Sequence, residues 1–169
     1  MEATICVIFN EDQTQVLLTK RFDFPVWVLP GGGIEPNESI EEGLKREIKE
    51  EICCDVELVE KVGTYTPPIF RSEALTHVYI GKINTHPKPS DEVKAIKFYD
   101  IGDLPKMIPP PHQVWIEHAL LPFEKNFSLK VPAVSFSLFF RYVLKHPFLL
   151  LKFLSLRIKK IRLIKIRRI

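Results

Sequence analysis

Apolar residues recur every fourth position from Ile40 through Leu44 and Ile48 to Ile52, the spacing of a helix that buries one face. Ser39, with Glu42 three residues on, forms a capping box at the start of that run, where two otherwise unpaired backbone amides find acceptors. The spacing therefore predicts a helix from Ile40 to about Ile52. Ahead of it, Thr4 to Phe9 and Gln15 to Thr19 read as β-strands around an Asn10-Glu11-Asp12 turn. Behind it, Asp55 to Tyr65, Ala74 to Ile83 and Val93 to Tyr99 read as further strands. Pro109-Pro110-Pro111 ends a loop, and a second helix is expected from His112 to about Leu121, with Val114, Ile116, Ala119 and Leu120 as its apolar positions and Trp115 as its anchor. The order is that of an α/β domain, and no internal repeat is visible.

Charge changes the reading of the first helix. Glu47, Glu50 and Glu51 stand at i, i+3 and i+4, which gathers them within roughly a 100° arc of helix surface. Carboxylates so placed repel by a few tenths of a kcal/mol per pair, roughly. A divalent cation offsets that repulsion, and hard oxygen ligands of this kind suit Mg²⁺ or Mn²⁺. The plain alternative is a solvated acidic face. Against it stand the Gly31-Gly32-Gly33 run ahead of the helix and Arg46 beside the carboxylates.

Gly32, Glu38, Arg46-Glu47-Ile48, Glu50-Glu51 and Cys54 together resemble the box G-x5-E-x7-R-E-U-x-E-E-x-G-U of the Nudix hydrolases, where U is a bulky apolar residue. Trp27-Val28-Leu29-Pro30-Gly31-Gly32 is similar to that family's approach to the box. One position departs: Cys53 stands where the family has Gly. A residue with a Cβ takes the left-handed conformation at a cost of about 1 kcal/mol, so a locally altered helix end is expected. The resemblance implies a Nudix-like α/β/α sandwich with a mixed β-sheet over residues 1–125. It further implies that Glu47, Glu50 and Glu51 ligate Mg²⁺ with a backbone carbonyl at Gly32, that Arg46 orients the glutamates, and that Glu38 holds the loop against the helix. Gly31 and Gly33 complete a loop that lets backbone approach metal and phosphate closely. A glutamate on the strip takes the proton of the attacking water, Glu51 or Glu50 being the candidates. Glu92 is a candidate further ligand, with Asp91 the alternative. Phe22, Phe24, Trp27, Tyr65 and Phe70 are candidates to stack a base or, as is the default for such residues, to be core.

The 169 residues and 46% apolar content suit one domain with an addition. Three cysteines, two of them adjacent, make no disulfide framework. The start of the chain turns acidic too early for a secretory signal. A reducing, cytoplasmic compartment is expected.

Up to Lys125 there are 13 Lys and Arg against all 21 Asp and Glu; from Asn126 onward there are 11 Lys and Arg and no acid. The first part therefore carries −8 and residues 126–169 carry +11. That extension is also rich in Phe and Leu in two runs divided by Pro147. On a helical wheel Arg141, Lys145, Lys152 and Lys159 fall within roughly 40°, which predicts a basic amphipathic helical extension. Such a helix suits the interface of an anionic membrane, placing the protein at the inner face of a membrane through residues 131–169. The longest uncharged run, Val131 to Phe140, falls short of the roughly 18 to 20 residues a span needs. The rival occupants of the tail's surface are the catalytic domain itself or a second subunit, as in a homo-oligomer. Nucleic acid at Arg157 to Arg168 is disfavoured because few aromatics are interleaved there.

The expected function is Mg²⁺-dependent hydrolysis of a diphosphate linkage in a nucleoside diphosphate joined to another moiety. The alternative is a catalytically weak binding module of the same fold, recognising a nucleotide or a partner and attached to a membrane by its tail. Intact Glu47, Glu50 and Glu51 weigh against the alternative. The full-length chain is expected to float with anionic vesicles and a chain lacking the tail is not; equal flotation of the two would sink the membrane reading.

Overall fold

The computed structural model describes residues 2–22, 26–66, 75–122 and 127–130. Phe24 and Phe70, and the helical extension expected after residue 130, lie outside the described residues. The described chain runs β1 (Ala3–Ile8), β2 (Gln15–Arg21), β3 (Trp27–Val28), β4 (Gly31–Gly33), α1 (Ile40–Ile52), β5 (Val56–Thr66), β6 (Thr76–Ile83), β7 (Val93–Asp100), a 3₁₀ turn (Ile101–Asp103), α2 (Pro110–Ala119) and β8 (Phe127–Lys130).

Strand β1 is apolar on both faces, from Ile5 through Ile8, as a strand covered on both sides must be. Successive side chains point to opposite faces. Ile5 and Val7 join Val16, Leu18, Val62, Trp115 and Ile116 in a core on the α2 side, while Cys6 and Ile8 join Leu17, Leu44, Ile48 and Ile52 in a second core on the α1 side. The β-layer between the two helices is a mixed five-stranded sheet, β4-β1-β6-β5-β8, and a three-stranded antiparallel sheet, β3-β2-β7. β1 runs parallel to β6 and antiparallel to β4, and a bridge between Phe9 and Val16 joins the two sheets. This is the expected α/β/α sandwich.

Local details depart from the sequence reading. The Gly31-Gly32-Gly33 run is not a loop: it pairs with Ile5, Thr4 and Ala3 of β1. Helix α2 begins at Pro110, where the fixed φ of proline is already helical and its missing N–H costs nothing. Its last residue is Ala119, leaving Leu120 and Leu121 each 38% exposed. The expected distortion at the end of α1 is absent from the backbone. Cys53 itself takes the left-handed conformation, φ 56°, and its N–H still donates to the Lys49 carbonyl. Finally, β8 pairs parallel with β5 from Gly63 to Thr66, so the sheet extends to Lys130, past the division expected at residue 125.

Three of the four residues in the row that announced α1, Leu44, Ile48 and Ile52, are fully buried, and Ile40 packs part-buried against them. Ile48→Ala is expected to destabilise the fold by about 2–5 kcal/mol, through lost burial and the cavity left behind, as measured by urea unfolding.

Candidate active site

Arg46 gathers the box. A guanidinium carries five N–H donors in a rigid fork, and here they make five hydrogen bonds. Nε donates to Glu38 Oε2 at 3.1 Å and Nη2 to Glu38 Oε1 at 2.8 Å, a bidentate pair. Nη1 donates to Glu47 Oε1 at 3.0 Å and to Glu50 Oε2 at 2.9 Å, and Nη2 to the Gly33 carbonyl at 2.9 Å. Charge-assisted bonds of this kind are about twice as strong as neutral ones. The result shows in protonation: Glu38 is held below the usual carboxylate range by Arg46 first and by the Glu35 amide second, and Arg46 is held more firmly charged, chiefly by Glu38.

Two glutamates go the other way. Glu51 is 8% exposed, and burial pushes its carboxyl up to about 7, against the partial relief of the Gly31 amide and the Arg21 charge. The Gly31 N–H donates to Glu51 Oε2 at 3.1 Å. Glu47 is also raised, by burial first, with Arg46 opposing. Each feels the negative charge of Glu92. Glu92 is exposed, on a turn tied to the end of α1 by the Ser90 N–H donating to the Glu51 carbonyl at 3.2 Å.

The glycines differ in purpose. At Gly31 φ is +137° and a Cβ would run into the Thr4 carbonyl. A Cβ at Gly32 would occupy the space of the Glu47 carboxyl. At Gly33 a Cβ would meet nothing, and the residue contributes its carbonyl to Arg46. The structure thus joins Glu38, Arg46, Glu47, Glu50 and Gly33 in one bonded network and seats Glu51 on Gly31. It leaves the three glutamates short of a preformed cluster: among the described residues no three acidic, His or Cys side chains stand at metal-ligand spacing. Of the base-stacking candidates, Tyr65 is buried core and Phe22 is exposed.

Sequence reasoning passed over four residues here. Gly43, an unfavourable residue inside a helix, makes room for Glu38, whose Oε1 would stand 2.8 Å from a Cβ at that position. A glycine amid good helix formers was the available signal. Thr4, at the β1 position paired with Gly32, is fully buried and its hydroxyl has no hydrogen-bond partner among the described residues; a hydroxyl opening an apolar strand was the clue. Arg21, whose charge reaches both Glu51 and His112, and His112 itself, carried no local signal.

The NUDIX domain family model matches residues 1–119. A Bacillus subtilis (strain 168) protein described as "Putative 8-oxo-dGTP diphosphatase" is 38% identical over 111 residues, covering 64% of this chain and 72% of that protein. An ADP-ribose pyrophosphatase of Methanocaldococcus jannaschii is 34% identical over 103 residues, covering 57% of this chain and 61% of its own length. Among solved structures, an ADP-ribose pyrophosphatase from Streptococcus suis superposes with a TM-score of 0.61 at 22% identity, covering 76% of this chain and 97% of that one; at that identity it shows the fold alone.

The raised carboxyl of Glu51 makes stability depend on pH. Its folded value, about 7, lies above its ordinary 4.5, so the folded state binds the extra proton between those limits. The associated stability is present in full below pH 4.5 and is lost as pH rises through 7. In metal-free protein, unfolding free energy is expected to fall by up to about 3 kcal/mol from pH 5 to pH 8. Glu51→Gln should flatten that fall in chemical denaturation measured with EDTA present.

Proposed function

This chain belongs to the Nudix family, hydrolases of phosphoric anhydrides, and on that premise we propose that it is a Mg²⁺-dependent nucleotide pyrophosphohydrolase in which Mn²⁺ can replace Mg²⁺. The observation that carries the reading is the pair Glu47 and Glu51, two carboxyls on one helix strip, Glu51 buried and Glu47 part-buried, both raised in protonation and both against the glycine strand. Burying ionised carboxylates is costly unless cations compensate them.

The residues fit a divalent ion. Glu47, Glu50 and Glu51 are hard oxygen donors, Gly32 leaves the space a side chain would fill, and the Thr4 hydroxyl, at the strand position beside it, is buried with no hydrogen-bond partner among the described residues. We assign those three glutamates and the Gly32 carbonyl as ligands, with Glu92 as a further one. A bound divalent ion neutralises phosphate charge and lowers the pKa of a water.

The chain's own groups do the rest. Arg46 positions Glu47 and Glu50 through one nitrogen. Glu38 holds Arg46 from the other side. Glu51, directed by the Gly31 N–H, takes the proton as water oxygen bonds to phosphorus and the bridging P–O bond breaks. Glu50, 45% exposed and tied to Arg46, is less suited to that role. The substrate is a nucleoside diphosphate joined to another moiety. The relatives' names, 8-oxo-dGTP diphosphatase and ADP-ribose pyrophosphatase, fit that description, with a phosphate or a ribose as the second group.

Assay of a panel of such compounds, beginning with 8-oxo-dGTP and ADP-ribose, is expected to release a nucleoside monophosphate only with Mg²⁺ or Mn²⁺ present. Glu51→Gln should lower kcat by about 100-fold or more while leaving the circular dichroism spectrum unchanged. No turnover of any panel member with either ion overturns the reading; full activity in Glu51→Gln removes Glu51 from the proton transfer.

A further inference from the structure

Three consecutive residues approaching the glycine strand are held from three different elements. The Leu29 N–H donates to Nδ1 of His112, in α2, at 3.1 Å. The Pro30 carbonyl accepts from the Cys6 N–H of β1 at 2.9 Å. The Gly31 N–H donates to Glu51 of α1 at 3.1 Å. One residue further, Gly32 lies against the Glu47 carboxyl. The first of these anchors is separated by 83 residues in sequence and comes from the helix on the far side of the β-layer.

His112 is suited to the task. Accepting at Nδ1 requires a ring nitrogen without a proton; burial, with the Arg21 charge, pushes its basicity down to about 3, so the acceptor persists at neutral pH. The ring is edge-on to Trp115, 4.8 Å between centroids, and Trp115 is buried and packs against Tyr65 at 6.0 Å. A second backbone tie lies just upstream, where the Trp27 N–H donates to the Met107 carbonyl at 3.0 Å, so the segment before α2 and its first turn both grip the strand that leads to the glycines.

We propose that His112 is a positioning residue of the carboxylate site: from the opposite helix layer it fixes the Leu29 backbone and thereby sets where Gly31 and Gly32 meet Glu51 and Glu47. The inference rests on the metal-dependent reading above. It extends that site beyond the box, to a residue whose hydrogen bond goes to the Leu29 backbone and not to a carboxylate. Loss of an outer-shell anchor of this kind typically weakens metal affinity or activity by about 10- to 100-fold.

The test compares His112→Leu, which keeps apolar bulk but has no acceptor, with His112→Asn, whose Oδ1 can accept near the place of Nδ1. Two quantities are read: Mn²⁺ affinity by paramagnetic resonance of free Mn²⁺, and hydrogen exchange of the Gly31 amide in metal-free protein. His112→Leu is expected to weaken Mn²⁺ binding by about 10-fold and to speed Gly31 exchange, with His112→Asn close to wild type in both. Unchanged Mn²⁺ affinity and unchanged Gly31 exchange in a folded His112→Leu overturn the proposal. Equal impairment of both variants also overturns it, because that marks a packing role. If His112→Leu does not fold, the wild type decides: the Nδ1 resonance of His112 should shift as Mg²⁺ is added, and no shift at saturation overturns the coupling. A wild type that binds neither ion sinks the metal reading instead, and Gly31 exchange in the metal-free variants still decides the role of His112.

Discussion

The guanidinium of Arg46 is the junction on which the site depends. Its five donors reach acceptors on three segments: Gly33 at the end of β4, Glu38 on the loop before α1, and Glu47 and Glu50 on the helix itself. A lysine could not replace it, having three donors on one nitrogen instead of a planar fork. Because Glu38 takes two of the bonds and is held ionised, the loop cannot leave the helix without stranding a charge. Gly43 follows from the same junction, since only a residue without a side chain leaves Glu38 its place.

Beside that part-buried junction lies a less comfortable layer. Glu47 and Glu51 face the glycine strand in partial or near-complete burial, and both are harder to ionise than free carboxylates. Burial here works against ionisation and so against stability at neutral pH. Two features keep the arrangement in place. The apolar row Leu44, Ile48 and Ile52 anchors the opposite side of α1 in the core, and the residues leading to Gly31 are bonded in turn to α2, β1 and α1. The β-layer is thus rigid where the carboxylates press on it.

Much of this was legible in the chain. The four-residue apolar spacing located α1 to the residue, and Ser39 with Glu42 located its start, because helix caps and faces are written within a dozen neighbouring positions. Strands β1, β2, β5, β6 and β7 were found from their apolar runs. The short β3 and β4 were not. Two or three residues carry no period, and glycines have low strand propensity; what makes Gly31–Gly33 a strand is pairing with β1. Cys53 shows the same limit in reverse. Its type argued for a distorted helix end, yet it closes α1 in the left-handed geometry that its position demands.

The sequence by itself determined the acidic strip, because the i, i+3 and i+4 spacing of Glu47, Glu50 and Glu51 becomes proximity as soon as a helix forms, whatever the rest of the chain does. It likewise determined the charge division between residues up to 125 and those after, a matter of composition alone. Only the tertiary structure decided how each glutamate behaves. Glu50 lies exposed on Arg46, while Glu51 is buried on the Gly31 amide with its protonation pushed toward neutrality. Only the tertiary structure, too, brought His112 to Leu29 and Thr4 to Gly32. Burial and long-range hydrogen bonds depend on which distant segments cover a residue, and no local spacing carries that information.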